Sequence, residues 1–173
     1  MAVLNEEQEM LRDMAREWAT NESPVTEFRK VRASGEPEAF DRAAYATMAE
    51  MGWAGIIIPE DHGGSDFGFM SVGLVVEELG KTLTASPLIA TTLAASAIIL
   101  GGREEQKAKW LPKLASGETI ATLAIDEGPH HDPENIDTSV SGGKLTGTKA
   151  FVAEAHGADL FVVAAKDGLY LVE

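Results

Sequence analysis

The spacing of apolar residues changes once along this chain, at Thr119, and that change limits what it can fold into. Before it, apolar residues recur every three or four positions, the period of helices packed on one another. After it, Ala121, Leu123 and Ile125 fall on one side of an extended chain, and Ile136, Thr138 and Val140 on one side of another. The expected class is α+β: an amino-terminal all-α helical domain over residues 1–118, then an incomplete antiparallel β domain over residues 119–173. Boundaries between layers are places where ligands bind. That draws attention to residues 119–127, the acidic loop that follows, and residues 147–153.

Five helices are expected in the first part. Asn5 with Gln8 forms a capping-box pattern before a stripe of Leu4, Leu11, Met14, Ala15 and Trp18, predicting a helix over residues 6–21. Pro37 suits the first turn of a second helix, with Phe40, Ala44, Met48 and Met51 on one face and Gly52 at its end. Residues 52–60 then read as a short, buried, extended segment, and residues 61–66 as a tight loop. Gly63-Gly64 is a structural turn, because no P-loop lysine or Gly-x-Gly-x-x-Gly pattern accompanies it. Val72, Val75, Val76 and Leu79 predict a third helix closed by Gly80. The apolar run over residues 88–100 is a fourth, stopped by Gly101-Gly102; Trp110, Leu111 and Leu114 mark a fifth, which Pro112 should kink or restart.

In the second part, Ser141-Gly142-Gly143 is a turn into a strand over residues 144–153, residues 160–165 are a buried strand, and Asp167-Gly168 is a hairpin signal. The sequence stops inside the last strand, so a fragment, or a sheet completed by something else, is expected.

Composition excludes several functions. The 28 Asp plus Glu against 14 Lys plus Arg give a net charge of -14, which repels nucleic acid and anionic membrane surfaces. Without cysteine there is no thiolate chemistry, disulfide or Cys-type metal centre. The adjacent His130, His131 and Asp132 do not make a metal site, since neighbouring residues rarely face one ion. His62 and His156 read as ordinary loop histidines. The apolar run over residues 88–100 falls short of the ~20 residues that span a bilayer. The amino terminus lacks a basic region followed by an apolar run, and its acids argue against a transit peptide, so a cytoplasmic enzyme or subunit is expected.

Several motifs point to one family. Glu7-Gln8 with Leu11-Arg12, Pro59-Glu60 with Gly63-Gly64, and the run Val76-Glu77-Glu78-Leu79-Gly80 are followed by Glu105-Gln106-Lys107 with Trp110-Leu111-Pro112-Lys113-Leu114-Ala115-Ser116-Gly117-Glu118, and then by Gly147-Thr148-Lys149. Together these resemble the amino-terminal helical domain and first half of the middle β domain of the acyl-CoA dehydrogenases. The resemblance implies FAD as cofactor, an acyl-CoA thioester as substrate oxidised to the 2,3-enoyl-CoA, and an electron-transfer flavoprotein as acceptor. It also implies a homo- or hetero-oligomer. The family's base is a glutamate of a carboxy-terminal helical domain, so no catalytic residue is assigned in this chain.

By the same resemblance the flavin-facing positions are Leu123, Ile125, Asp126, Phe151, Val152 and Ala153. Here the sequence departs from its family. The family's Thr-Glu-Pro and glycine-serine loop appear as Asp126-Glu127-Gly128-Pro129-His130-His131-Asp132, and its Trp-x-Thr as Phe151-Val152-Ala153. An ionised Asp126 accepts hydrogen bonds only, so it can take the flavin N3–H but opposes negative charge on the reduced ring. Asp126, Glu127, Asp132, Glu134 and Asp137 weaken anion binding in this region. Phe151 keeps an aromatic face without the indole N–H, and Ala153 lacks a hydroxyl. Two other readings share the fold: a non-catalytic subunit or interaction module, and an acyl-CoA oxidase.

Overall fold

The capping box forms as the sequence predicts. Asn5 Oδ1 accepts from Gln8 N–H at 2.8 Å, and Gln8 Oε1 accepts from Asn5 N–H at 3.2 Å, starting α1 (Glu6–Glu22). The protein is described by a computed structural model over residues 4–173; residues 1–3, on which the reading of the amino terminus partly rests, lie outside the described residues. Helix α1 buries Ala15, Trp18 and Ala19, and the Trp18 and Trp53 rings meet edge to face at 5.5 Å. Helix α2 (Val25–Ser34) is absent from the sequence expectation, and it buries none of its residues. Its apolar stripe, Val25, Phe28 and Val31, is short and only half-buried, which makes a weak period to read. Helix α3 (Arg42–Glu50) is capped by Asp41 Oδ1, which accepts from Ala43 N–H at 2.7 Å, so it starts five residues after Pro37 rather than at it.

Residues 53–58 are buried as expected but not extended, while Gly52 and Glu60 at the ends of the expected segment are exposed. Gly52 takes φ +82°, a 3-10 turn spans Trp53–Gly55, and Ile58 N–H donates to Gly55 O at 3.0 Å. A short apolar run cannot report its own period, which is why burial was legible here and conformation was not. The chain then folds back on this coil: Ser65, Asp66 and Phe67 N–H donate to Gly55, Ile58 and Ile56 O at 3.1, 3.1 and 2.8 Å. Gly63 turns the corner at φ +82°, and Gly64 lies so close that a Cβ there would stand 2.0 Å from Ile58 O.

Helix α4 (Gly68–Lys81) packs on α1 and buries Leu74, Val75 and Leu79. It also buries Glu78, 2% exposed, which accepts from Arg16 Nη2 at 3.0 Å and Lys81 Nζ at 2.8 Å. The bonded Arg16 guanidinium, with Lys81, outweighs burial and holds the Glu78 carboxyl below the usual range. Helix α5 (Leu88–Gly101) packs on α6 (Glu104–Ala115), which continues through Pro112 as one element and buries Trp110, Leu111 and Leu114. Among the described residues no helix is long and apolar enough to cross a membrane.

The helical part gives way to strands as the period change predicts, and the architecture is α+β. The sheet has the order β1 (Ala121–Ala124), β4 (Leu160–Ala165), β5 (Gly168–Val172), and β2 (Ser139–Ser141) with β3 (Lys144–Thr146) forms a separate hairpin. Two expectations are corrected. Strand β1 runs parallel to β4, Ala121 opposite Leu160, so pairing is mixed and not antiparallel throughout. The strand expected over residues 144–153 ends at Thr146, and Phe151, Val152 and Ala153 lie in irregular chain. A parallel pair needs a long return path, and residues 125–159 are that path.

The two glycines of residues 63–64 should respond differently to alanine. Gly63→Ala incurs only left-handed strain, on the order of 1 kcal/mol, whereas Gly64→Ala drives a Cβ into a backbone carbonyl that no side-chain movement relieves. Thermal unfolding should show Gly64→Ala as clearly the more destabilised; equal losses would contradict this packing.

Candidate functional site

Two irregular segments run together where β1 ends. Ala150 N–H donates to Asp126 O at 2.7 Å, Lys149 Nζ to Ile125 O at 2.8 Å, and Thr122 Oγ1 to Ala153 O at 2.7 Å. These bonds place residues 122–126 beside residues 149–153, so all six sequence-derived positions sit in one neighbourhood. Leu123, Ile125, Asp126 and Val152 are half-buried, while Ala153 is exposed. Phe151 is 80% exposed and holds φ +53°.

A left-handed aromatic residue is strained by roughly 1–2 kcal/mol, and exposing its ring forgoes the gain of burial. Such an outlier points toward function. Glu154, also left-handed at φ +52°, has its carboxyl pushed up by burial. Among the described residues the N–H groups of Asp126, Phe151, Val152 and Ala153 donate to no protein acceptor. An exposed aromatic face, half-buried aliphatic side chains and open backbone donors form a donor set that fits a flat heteroaromatic ring with carbonyl acceptors, such as a flavin. A cleft of about 550 Å³ lies elsewhere, lined by Phe28, Val31, Phe40, Glu27 of α2 and the acids Glu36, Glu38 and Asp41 between α2 and α3, and shares no residue with this neighbourhood.

A charged clamp fixes the two segments. Glu127 accepts from Lys149 Nζ at 2.7 Å, Asp137 N–H at 2.6 Å, Thr138 N–H at 2.9 Å and the Thr138 hydroxyl. The Lys149 bond, then those of Thr138 and Asp137, hold the Glu127 carboxyl at about 2. Gly147 belongs to the same unit, because a Cβ there would lie 2.1 Å from Thr138 Oγ1. The Gly-x-Lys motif thus has two physical requirements, a close approach at Gly147 and an ammonium at Lys149. The motif and the acid Glu127 are visible in the sequence, but their pairing and the part of Thr138 are not, because the three lie far apart along the chain. Asp126 has a partner of its own, with His131 Nδ1 at 2.8 Å from its Oδ1.

The lowered Glu127 carboxyl sets an acid limit. Its folded value lies below the ordinary 4.5, so its stabilisation is complete above that pH and lost as pH falls through about 2. Melting temperatures measured down this range should fall less steeply for Glu127→Gln than for the native chain. An identical acid profile would remove the clamp from the account.

Known proteins resemble this chain over most of its length. A family model described as the acyl-CoA dehydrogenase N-terminal domain matches residues 5–118. An acryloyl-CoA reductase (NADH) from Anaerotignum propionicum is 33% identical over 172 residues, 94% of this chain and 42% of that protein. Among solved structures, an acyl-CoA dehydrogenase from Geobacillus kaustophilus superposes with a TM-score of 0.83 at 31% identity, covering 98% of this chain and 48% of that one. Another from Bacillus anthracis, complexed with FAD, gives a TM-score of 0.80 at 27% identity over 98% of this chain and 32% of that one. The chain therefore spans about half, or less, of the proteins it matches. The helical order, the β1 boundary and the matched residues all lead to one statement: this chain belongs to the acyl-CoA dehydrogenase family.

Proposed function

We propose that this chain is the flavin-facing portion of an FAD-dependent oxidoreductase acting on an acyl-CoA thioester, with a helical unit over residues 1–118 and part of a β unit over residues 119–173. The observation that carries this reading is the strained, exposed Phe151 set beside open backbone donors at the end of β1. Leu123, Ile125 and Val152 supply apolar contact, Phe151 an aromatic face, and Asp126 and Ala153 the adjoining backbone. The FAD complex of the Bacillus anthracis relative supports the choice of cofactor.

When bound, the flavin supplies a two-electron acceptor for hydride from the acyl β-carbon. This chain's part is to hold and orient the ring; no residue in it is assigned as the base that removes the α-proton, and the chain by itself is inactive in this reading. Electrons pass to an electron-transfer flavoprotein. The exposed apolar positions Ile89, Leu93 and Leu100, spaced along one side of α5, support association into an oligomer.

A second reading, a non-catalytic subunit, is favoured by the Asp126–His131 pair and the missing hydroxyl at Ala153. A visible spectrum of the purified protein separates the two. The first predicts stoichiometric flavin bands after FAD is supplied, with Phe151→Ala weakening binding about fivefold to tenfold from lost ring stacking. Absence of bands at saturating FAD would favour the second. Release of peroxide on turnover of the complete enzyme would identify an oxidase instead.

A further inference from the structure

The loop leaving β1 carries a charge arrangement that neither the family resemblance nor the proposed flavin contact explains. Asp126 is anchored through its backbone, its carbonyl accepting from Ala150 N–H at 2.7 Å. Its carboxylate, 26% exposed, meets His131 Nδ1 at 2.8 Å, and the His131 side chain is 67% exposed. Lys149, the cation on the facing segment, is turned to Glu127 and Ile125 O. Among the described residues His131 is the one basic side chain within ion-pair distance of the Asp126 carboxylate. The other charged groups nearby have contacts of their own: Glu127 is held by Lys149, Asp132 accepts from Asn135 Nδ2 at 2.8 Å, and Asp137 lies 3.4 Å from Lys166 Nζ. The remaining neighbours, His130 and Glu134, are exposed and Glu154 is half-buried, and none of them contacts Asp126.

We propose that Asp126 and His131 act as a proton-responsive pair on the flavin-facing edge, which favours FAD when His131 carries a proton and disfavours it when that proton is lost. The inference rests on the FAD reading above. Imidazole is the side chain that ordinarily exchanges its proton between about pH 5 and 8. With the proton, the pair is neutral overall and the carboxylate's charge is offset at hydrogen-bond distance. Without it, a net negative charge would oppose the carbonyl oxygens of a ring bound at this edge and add to the field opposing the cofactor's diphosphate. Only Asp126 Oδ1 is paired with His131, so the second carboxylate oxygen stays available to the flavin N3–H in either state; the two repulsions then set the sign, and affinity rises as pH falls. The backbone anchor at Asp126 matters here, because it keeps the carboxylate in place whichever state His131 adopts.

The test is FAD titration of the purified protein, followed by flavin fluorescence between about pH 6 and about pH 8, for the native chain, His131→Gln, His130→Gln and Asp126→Thr, with each variant's fold checked by thermal unfolding. The native dissociation constant should rise on the order of threefold across this range, the size of a partly exposed charge pair. His131→Gln and Asp126→Thr should bind with little pH dependence, and His130→Gln should keep the native slope. A native slope retained in His131→Gln, or lost equally in His130→Gln, would overturn the pair and assign the effect to the loop's overall charge. Native binding that does not vary with pH would overturn the pair alone. If no variant binds FAD at any pH, the flavin reading itself falls, and the pair with it.

Discussion

A buried hydroxyl joins the helices to the sheet. Thr91 Oγ1, fully buried on α5, donates to Ala121 O and accepts from Ala121 N–H, each at 3.3 Å, at the first residue of β1. The other polar side chains that interrupt the α5 run satisfy themselves within the helix: Thr92 Oγ1 donates to Leu88 O and Ser96 Oγ to Thr92 O, both at 2.7 Å. A buried hydroxyl without a partner would cost roughly 1–3 kcal/mol, so Thr91 ties the position of β1 to that of α5. Since α5 also packs on α6 and on the coil at Trp53–Gly55, the start of the sheet inherits the rigidity of the helical core.

From that fixed start the remaining geometry follows. Strand β1 is parallel to β4, so the chain must leave the sheet after Ala124 and return at Leu160. Everything distinctive about the molecule lies on this return path: the acidic loop, the β2–β3 hairpin, the clamp of Glu127, Thr138 and Lys149, and Phe151. Apart from the short β2–β3 hairpin, this path has no ladder to hold it, and the clamp serves that purpose by drawing together residues far apart in sequence. The pairing of Lys149 with Ile125 O and Glu127 closes residues 125–149 of the path into one loop. Strain at Phe151 persists because the flanking residues are tied down, Ala150 to Asp126 and Ala153 to Thr122.

What could be read in the sequence was local. The Asn5–Gln8 cap, the extent of α5, the stripe of α6 and the β4–β5 strands all announce themselves within a few residues. Helix α2 was hard to read because its apolar stripe, Val25, Phe28 and Val31, is short and only half-buried, and the coil at residues 53–58 because burial on all sides erases the difference between a helical and an extended period. The parallel pairing of β1 with β4 could not be read because a strand's own residues do not state which way its neighbour runs. The same limit applied to the candidate site. Residue types at Asp126 and Phe151 were visible, but the partners that decide their behaviour lie in a loop and across the return path.

Those partners change what the acidic loop means. Counted by composition, Asp126, Glu127, Asp132, Glu134 and Asp137 are five charges set against any anionic ligand. In the fold Glu127 is spent on Lys149 and three further donors, Asp137 lies near Lys166, and Asp126 faces His131. An ion pair presents a dipole to its surroundings, and at protein surfaces its field falls away far faster than that of a lone charge. The effective repulsion toward a phosphate is therefore smaller than the count of acids implies. It is also unevenly distributed: with Glu127 neutralised at all ordinary pH by a lysine, the charge state of this edge turns on the one acid whose partner is a histidine.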